Sequence, residues 1–227
     1  MDNQQNVYYH ELISRTKKVF NNHPSLYNHF ANNPWLQGAL GNPFSGIMFI
    51  AENPSLTQVE RAQGRRGSTA TSDAQWNTSK GDQIFREALL DSGFKTKLPD
   101  TPGGWKCYIT NVIKEADYAK NTGAKNQADR NLSADIWFEV LKWELETCKP
   151  KLVVTMGGQS EILIDHLQVK YKLVLPKVIN ITHYAYIGQR PDRVRKLKAG
   201  DPLRIKEYKA EMSHVKLVFE GLIDQQY

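Results

Sequence analysis

The feature that most limits what this chain can fold into is the stretch Gly46-Ile47-Met48-Phe49-Ile50-Ala51-Glu52-Asn53-Pro54-Ser55. An apolar run enters from a glycine and stops at a turn carrying a carboxylate, an amide and a hydroxyl. Such a run, bounded by Gly and Asn-Pro, predicts a strand buried on both faces of a parallel sheet. Parallel strands need helical crossovers, and ligands of open α/β sheets bind past the C-terminal strand ends. The turn at residues 52–55 is therefore the first place to look for chemistry.

Three more apolar runs qualify as partner strands: Lys106 to Val112, Lys151 to Met156 and Lys177 to Thr182. Between them lie helical patterns: Gly81 to Phe94, 131–148, a segment running from Gly157-Gly158 through Leu167, and a closing helix from Pro202 to Leu222. Asp82 near the start of the first suits the helix dipole. The alternation predicts a three-layer α/β/α sandwich around a central, mainly parallel four-stranded sheet. At 227 residues the natural reading is one domain spanning 1–227, with residues 1–45 as a helical arm packed on it (helix Tyr8 to Phe20). Phe30, Trp35 and Leu36 are candidates for packing that arm down. The polar stretch 57–81 carries Arg61, Arg65 and Arg66 and reads as a long irregular loop, which inside a compact domain is usually functional. Trp76 in that loop either stacks on a base or pins the loop to the core.

Composition narrows the partners. The chain carries a formal charge of +6 with 40% hydrophobic residues, enough for a core and mildly suited to a polyanion. Two cysteines, Cys107 and Cys148, are too few for a four-cysteine metal or iron–sulfur site and suggest a reducing cytoplasm. His10, His23 and His29 lack ligand-like spacing, so neither metal nor other cofactor is expected. No apolar run approaches a membrane span, and the N-terminus is too polar for a secretory signal. The two glycines at 157–158 allow a tight strand-to-helix turn with free amides but do not complete a dinucleotide fingerprint.

The strand ends supply the candidate site residues. Asn111 can donate and accept at once, matching the mixed edge of a pyrimidine. It can equally close a strand-end turn. His183 caps the fourth strand. Arg190, Arg193 and Arg195 follow directly after it, which favours phosphate contact over a merely solvated face.

These features, in this order, resemble the uracil-DNA glycosylase superfamily over roughly residues 45–200. Ala51-Glu52-Asn53-Pro54-Ser55 is similar to its first motif and Lys80-Gly81-Asp82-Gln83-Ile84-Phe85 to the start of the helix that follows. Cys107 to Lys114 is close to the pyrimidine-reading strand. Pro150 to Gly157 matches the third strand, and Thr182-His183-Tyr184-Ala185 stands where the family has His-Pro-Ser. Ala51 replaces a usual Gly, Tyr184 replaces Pro, and the iron–sulfur cysteines of some branches are absent. Ser55 occupies the position of a Tyr that in strict uracil enzymes excludes a 5-methyl group.

The resemblance implies a monofunctional glycosylase that flips out uracil or a related modified pyrimidine and leaves an abasic site. Glu52, Asn53 and His183 are the implied catalytic set: Asn53 first and Glu52 second for the water and the cationic sugar, His183 for pyrimidine O2. An amide cannot be a true base near neutral pH, so Glu52 alone can do both jobs. Asn111, Ser55, Trp76 and Tyr184 would line the base. Arg65, Arg66, Arg190, Arg193 and Arg195 would grip duplex or single-stranded DNA, with a side chain from Ile187-Gly188-Gln189-Arg190 filling the emptied stack. The expected partner is DNA with an altered base, bound by a monomer, with no membrane. Three alternatives stand beside this reading. One is a glycosylase for a bulky 5-modified cytosine, such as glucosylated hydroxymethylcytosine of phage DNA, acting in defence. The second is a non-catalytic DNA-binding relative, and the third an unrelated nucleotide-binding α/β protein.

Overall fold

The computed structural model describes residues 3–26, 39–63, 73, 79–117, 121, 125–187, 197–198 and 201–224. Its strands are β1 (Leu40–Gly41), β2 (Ile47–Ala51), β3 (Tyr108–Asn111), β4 (Leu152–Met156) and β5 (Lys177–Ile181). They form one sheet in the order β1-β3-β2-β4-β5. β2 pairs in parallel with both β3 and β4, and β4 pairs in parallel with β5. The four expected strands are joined by a fifth, since β1 runs antiparallel along the outer edge of β3. Two residues are too short to leave a periodic signal, which is why this strand cannot be read from the sequence.

The helices are α1 (Asn3–Asn22), α2 (Leu56–Ala62), α3 (Lys80–Asp91), α4 (Gln127–Cys148), α5 (Gly158–Tyr171) and α6 (Pro202–Asp224). The sequence left α2 inside the irregular stretch, so that part of the 57–81 expectation is corrected. Seven residues with no side-chain cap on Ser55 give little helical signal, and α2 is held by burying Leu56 and Val59. Trp76, Arg65, Arg66, Phe30, Trp35 and Leu36 lie outside the described residues.

Alternation along β2 divides the interior. Ile47 and Phe49 face one core with α2, α3 and α6, through Val59, Phe85, Leu89, Tyr208 and Met212. Met48 and Ile50 face the other with α1, α4 and α5, through Leu12, Trp137, Leu141 and Leu163. A strand with period two buried on both faces produces three layers. α1 contributes Tyr8, Tyr9, Leu12 and Phe20 to that second core. Successive crossovers leave β2 toward β3 on one side and β4 toward β5 on the other. The crevice between their C-terminal ends is the topological switch point, where open sheets bind ligands.

Candidate active site

A cavity of about 510 Å³ opens at that point. Every strand of the parallel set supplies part of its wall. β2 leads into Ala51 through Ser55, β3 ends on Asn111, β4 leads into Gly157–Ser160, and His183 through Tyr186 follow β5. The cavity thus brings together six sequence-derived candidates: Glu52, Asn53, Ser55, Asn111, His183 and Tyr184.

Glu52 leaves β2 half-buried, and its main-chain carbonyl accepts from the Ile113 amide at 2.9 Å. Its carboxylate is paired with Arg130, which projects from the first turn of α4. Burial pushes the Glu52 carboxyl above its usual range. The opposing pull of Arg130, in charge and hydrogen bond, and of the Lys125 charge offsets part of that rise. Asn126 caps α4, its side chain accepting from the Asp129 amide at 2.9 Å. This fixes the turn that aims Arg130. Asn53 donates from Nδ2 to the Pro54 carbonyl at 3.3 Å.

His183 is set by its neighbours. The Ala185 amide donates to His183 Nδ1 at 3.2 Å, so the ring proton of the neutral imidazole sits on Nε2. Burial lowers the His183 pKa to about 4. The ring is therefore a neutral Nε2–H donor at physiological pH. Gly157 makes this approach possible. Its φ is +90°, and a Cβ there would stand 3.0 Å from His183 Cβ, so only glycine lets α5 begin beside the histidine. On the other side Glu211 of α6 accepts from the Thr182 amide and hydroxyl, both at 2.8 Å, anchoring the end of β5.

Asn111 is buried at the end of β3, its carbonyl held by Lys114 Nζ at 2.6 Å. Tyr184 stacks on Phe85 with centroids 5.4 Å apart and 19° between planes, and its ring lies 4.2 Å from that of His183. Ser55 begins α2 without making a side-chain cap.

One expectation changes. Ile187 is fully buried in the core with Phe85 and Tyr208, so its side chain is withdrawn from the surface that a stack-filling group must occupy. The exposed aromatic of that turn is Tyr186 at 60%. Gln189, Arg190, Arg193 and Arg195, like Arg65, Arg66 and Trp76, lie outside the described residues.

The structure adds wall residues that the sequence reading passed over: Arg130, Asp82, Arg86 and Trp105. Asp82 looked like a dipole-matching residue. It is buried, and its pKa rises to about 6 through desolvation, opposed by Arg86 Nε 2.6 Å away. Arg86 also lies over the Trp105 ring, 5.2 Å from its centroid. The i, i+4 spacing of Asp82 and Arg86 was the one available signal. Nothing local marked Arg130, whose partner is 78 residues away.

Among the described residues, no cluster of three or more His, Cys, Asp or Glu is arranged to hold a metal ion. Within the same residues no helix is long and apolar enough to cross a membrane. Both cysteines are free and buried, and burial raises the thiol of Cys148 to about 12 and that of Cys107 further.

Among curated proteins no relative matches. A family model for the uracil DNA glycosylase superfamily matches residues 39–204, from β1 to the first turn of α6. That span takes in the whole sheet and every strand end around the cavity, and the chain belongs to the uracil DNA glycosylase superfamily, whose members hydrolyse N-glycosidic bonds in DNA.

Proposed function

We propose that this chain is a monofunctional DNA glycosylase that excises uracil or a 5-modified pyrimidine and leaves an abasic site. The observation that carries the reading is the convergence of Glu52, Asn53, Asn111 and a neutral, Nε2-protonated His183 on one cavity.

An enzyme of this class must take the target nucleotide out of the stack, at a cost of a few kcal/mol. Asn111 pairs with the pyrimidine edge, and Tyr184, backed by Phe85, gives the base an aromatic wall. As the C1′–N1 bond breaks, its electron pair moves onto the base. His183 Nε2–H donates to O2, where that charge gathers, and a fixed donor in a site shielded from water is effective there. The oxygen of water bonds to C1′, its proton passes to Glu52, and the carboxylate stabilises the cationic sugar meanwhile. Asn53 positions that water. No lysine is among the described residues lining the cavity, which favours hydrolysis over Schiff-base chemistry.

The turn after β2 favours the bulkier substrate. Ser55, small and half-buried, leaves space where a tyrosine would stand. A glucosylated hydroxymethylcytosine is a base of this kind; its occurrence in phage DNA would make the reaction a defence.

Competition tests the choice. Equimolar duplexes bearing uracil, 5-hydroxymethylcytosine or its glucosylated form are incubated together with the protein, and free bases are weighed by mass spectrometry. Preferential release of a substituted base supports the bulky substrate; exclusive release of uracil restricts the site to uracil. DNA binding without release of any base supports the non-catalytic relative.

A further inference from the structure

Glu52 and Arg130 face each other at the cavity wall with side chains only 19% and 11% exposed. One comes from the β2 turn, the other from the first turn of α4. Arg130 Nε also donates to the Lys125 carbonyl at 3.2 Å. The guanidinium is thereby oriented by the segment leading into α4 before it meets the carboxylate. A planar fork held in this way fixes a carboxylate in direction as well as in charge.

We infer that Arg130 is a positioning residue for base release: it holds the Glu52 carboxylate ionised and aimed across the cavity, so that Glu52, with Asn53 beside it, is the group that takes the proton from water. This rests on the glycosylase reading above and adds a residue to it. The competing possibility is a purely architectural ion pair that ties the β2 turn to α4.

The charges around Glu52 decide what removing Arg130 would do. From α4 and the segment before it come Arg130 and Lys125. Asp117, after β3, sits 3.1 Å from Lys125 and takes part of its charge. Across the cavity stand His183, neutral above about pH 4, and the self-paired Asp82 and Arg86 of α3. Arg130 is the leading charge that lowers the Glu52 pKa against the desolvation that raises it. Without Arg130 the carboxyl binds its proton at higher pH, and the base is lost from the low end of the pH range upward.

The test is single-turnover base release from the best duplex of the panel, at pH 5 to 9, for wild type, R130Q, R130K and E52Q. Release by R130Q is expected to need a pH higher by about one to three units, with a tenfold loss per unit below that limb and recovery toward the wild-type rate above it. R130K keeps charge without the fork and should shift the limb in the same direction by less. E52Q should lose release at every pH. Titration of 13C-labelled glutamate carboxyls in the DNA-free protein, with E52Q giving the assignment, should show the same upward move of Glu52 in R130Q. If R130Q does not fold, R130K carries the comparison alone.

An R130Q or R130K profile superimposable on wild type overturns the inference. So does a uniform loss at all pH values with the Glu52 titration unmoved, since that is what an architectural tie would give. Wild-type protein that releases no base overturns the glycosylase reading, and the role of Arg130 with it. Release by wild type with an unmoved limb overturns only the role of Arg130.

Discussion

The buried ion pair beneath Asn111 offers the sharpest test of how this fold holds its site. Lys114 and Glu144 are 1% and 0% exposed. Lys114 Nζ donates to Thr110 Oγ1 and to the Asn111 carbonyl, each at 2.6 Å, and pairs with Glu144 Oε2. Glu144 Oε1 accepts from the hydroxyls of Tyr108 at 2.6 Å and Thr110 at 2.8 Å. Burial lowers the Lys114 pKa, and Glu144 resists that shift. Replacing Lys114 by Met leaves a carboxylate without its cation and a carbonyl without its donor. Removing one partner of a buried pair costs about 3–5 kcal/mol. The double variant K114M/E144Q has no stranded charge, and its amide oxygen can still accept from Tyr108 and Thr110. It should therefore recover about 2–3 kcal/mol relative to the sum of the single changes. Urea unfolding followed by far-ultraviolet circular dichroism gives each value by linear extrapolation, with an unchanged slope confirming comparable end states. A K114M loss below about 1 kcal/mol, or strict additivity in the double variant, would refute the reasoning, since lone buried charges are costly. At temperatures where K114M remains folded, its discrimination between bases should also weaken, because Asn111 has lost the anchor on its carbonyl.

The imidazole of His183 should titrate near pH 4 by NMR in the DNA-free protein; a midpoint near 6.5 would show that the ring is not desolvated. Between those two values the unfolded chain binds more protons at this position, so stability should rise with pH across the window. That dependence should shrink in H183Q. Replacing Asn111 by Asp removes the donor half of its edge and should slow base release by at least about a hundredfold, measured under single turnover; an unaltered rate would take Asn111 out of base recognition. A Cβ at Gly81 would stand 2.9 Å from Tyr184 Cδ2, so G81A should displace a ring stacked on Phe85 and cost about 1–2 kcal/mol. The G81A/Y184L pair should regain part of that loss in thermal melts, and simple additivity would contradict the proposed clash.

The parallel strands and most helices were legible because their signals are local. β2 and β4 are mostly apolar runs, buried except for Ala51 at the end of β2, and β3 is a buried run of β-formers ending on Asn111; β5 is the more exposed edge run. Helix starts were read less well: the pattern opened two helices at Gly81 and residue 131, whereas Ser79 and Asn126 cap them so that they begin one and four residues earlier, at Lys80 and Gln127. The strand ends then named Glu52, Asn53, Asn111 and His183 as candidates, because a doubly wound sheet puts its ligands there. What was not legible depends on distant contacts. The reach of Arg130 back to Glu52 has no sequence period. Phe85 fitted the apolar stripe of α3 equally well as a core residue or a cavity wall, and it is both. Ile187 stood as a wedge candidate only because the family resemblance puts a stack-filling side chain in the segment 187–190. Its burial follows from packing against α3 and α6, which no local pattern encodes. α2 was missed because seven residues buried on one side need the tertiary core to hold them.

The most direct measurement is base release in water enriched in oxygen-18, on duplexes carrying uracil, 5-hydroxymethylcytosine or its glucosylated form. Mass spectrometry of the free base and of the abasic strand, trapped by reduction, locates the label. The expected result is unlabelled free base together with one labelled oxygen at the sugar C1′, abolished in E52Q and H183A. Duplexes left intact by the wild-type protein, or label found in the base instead of the sugar, would contradict hydrolysis of the N-glycosidic bond by this site.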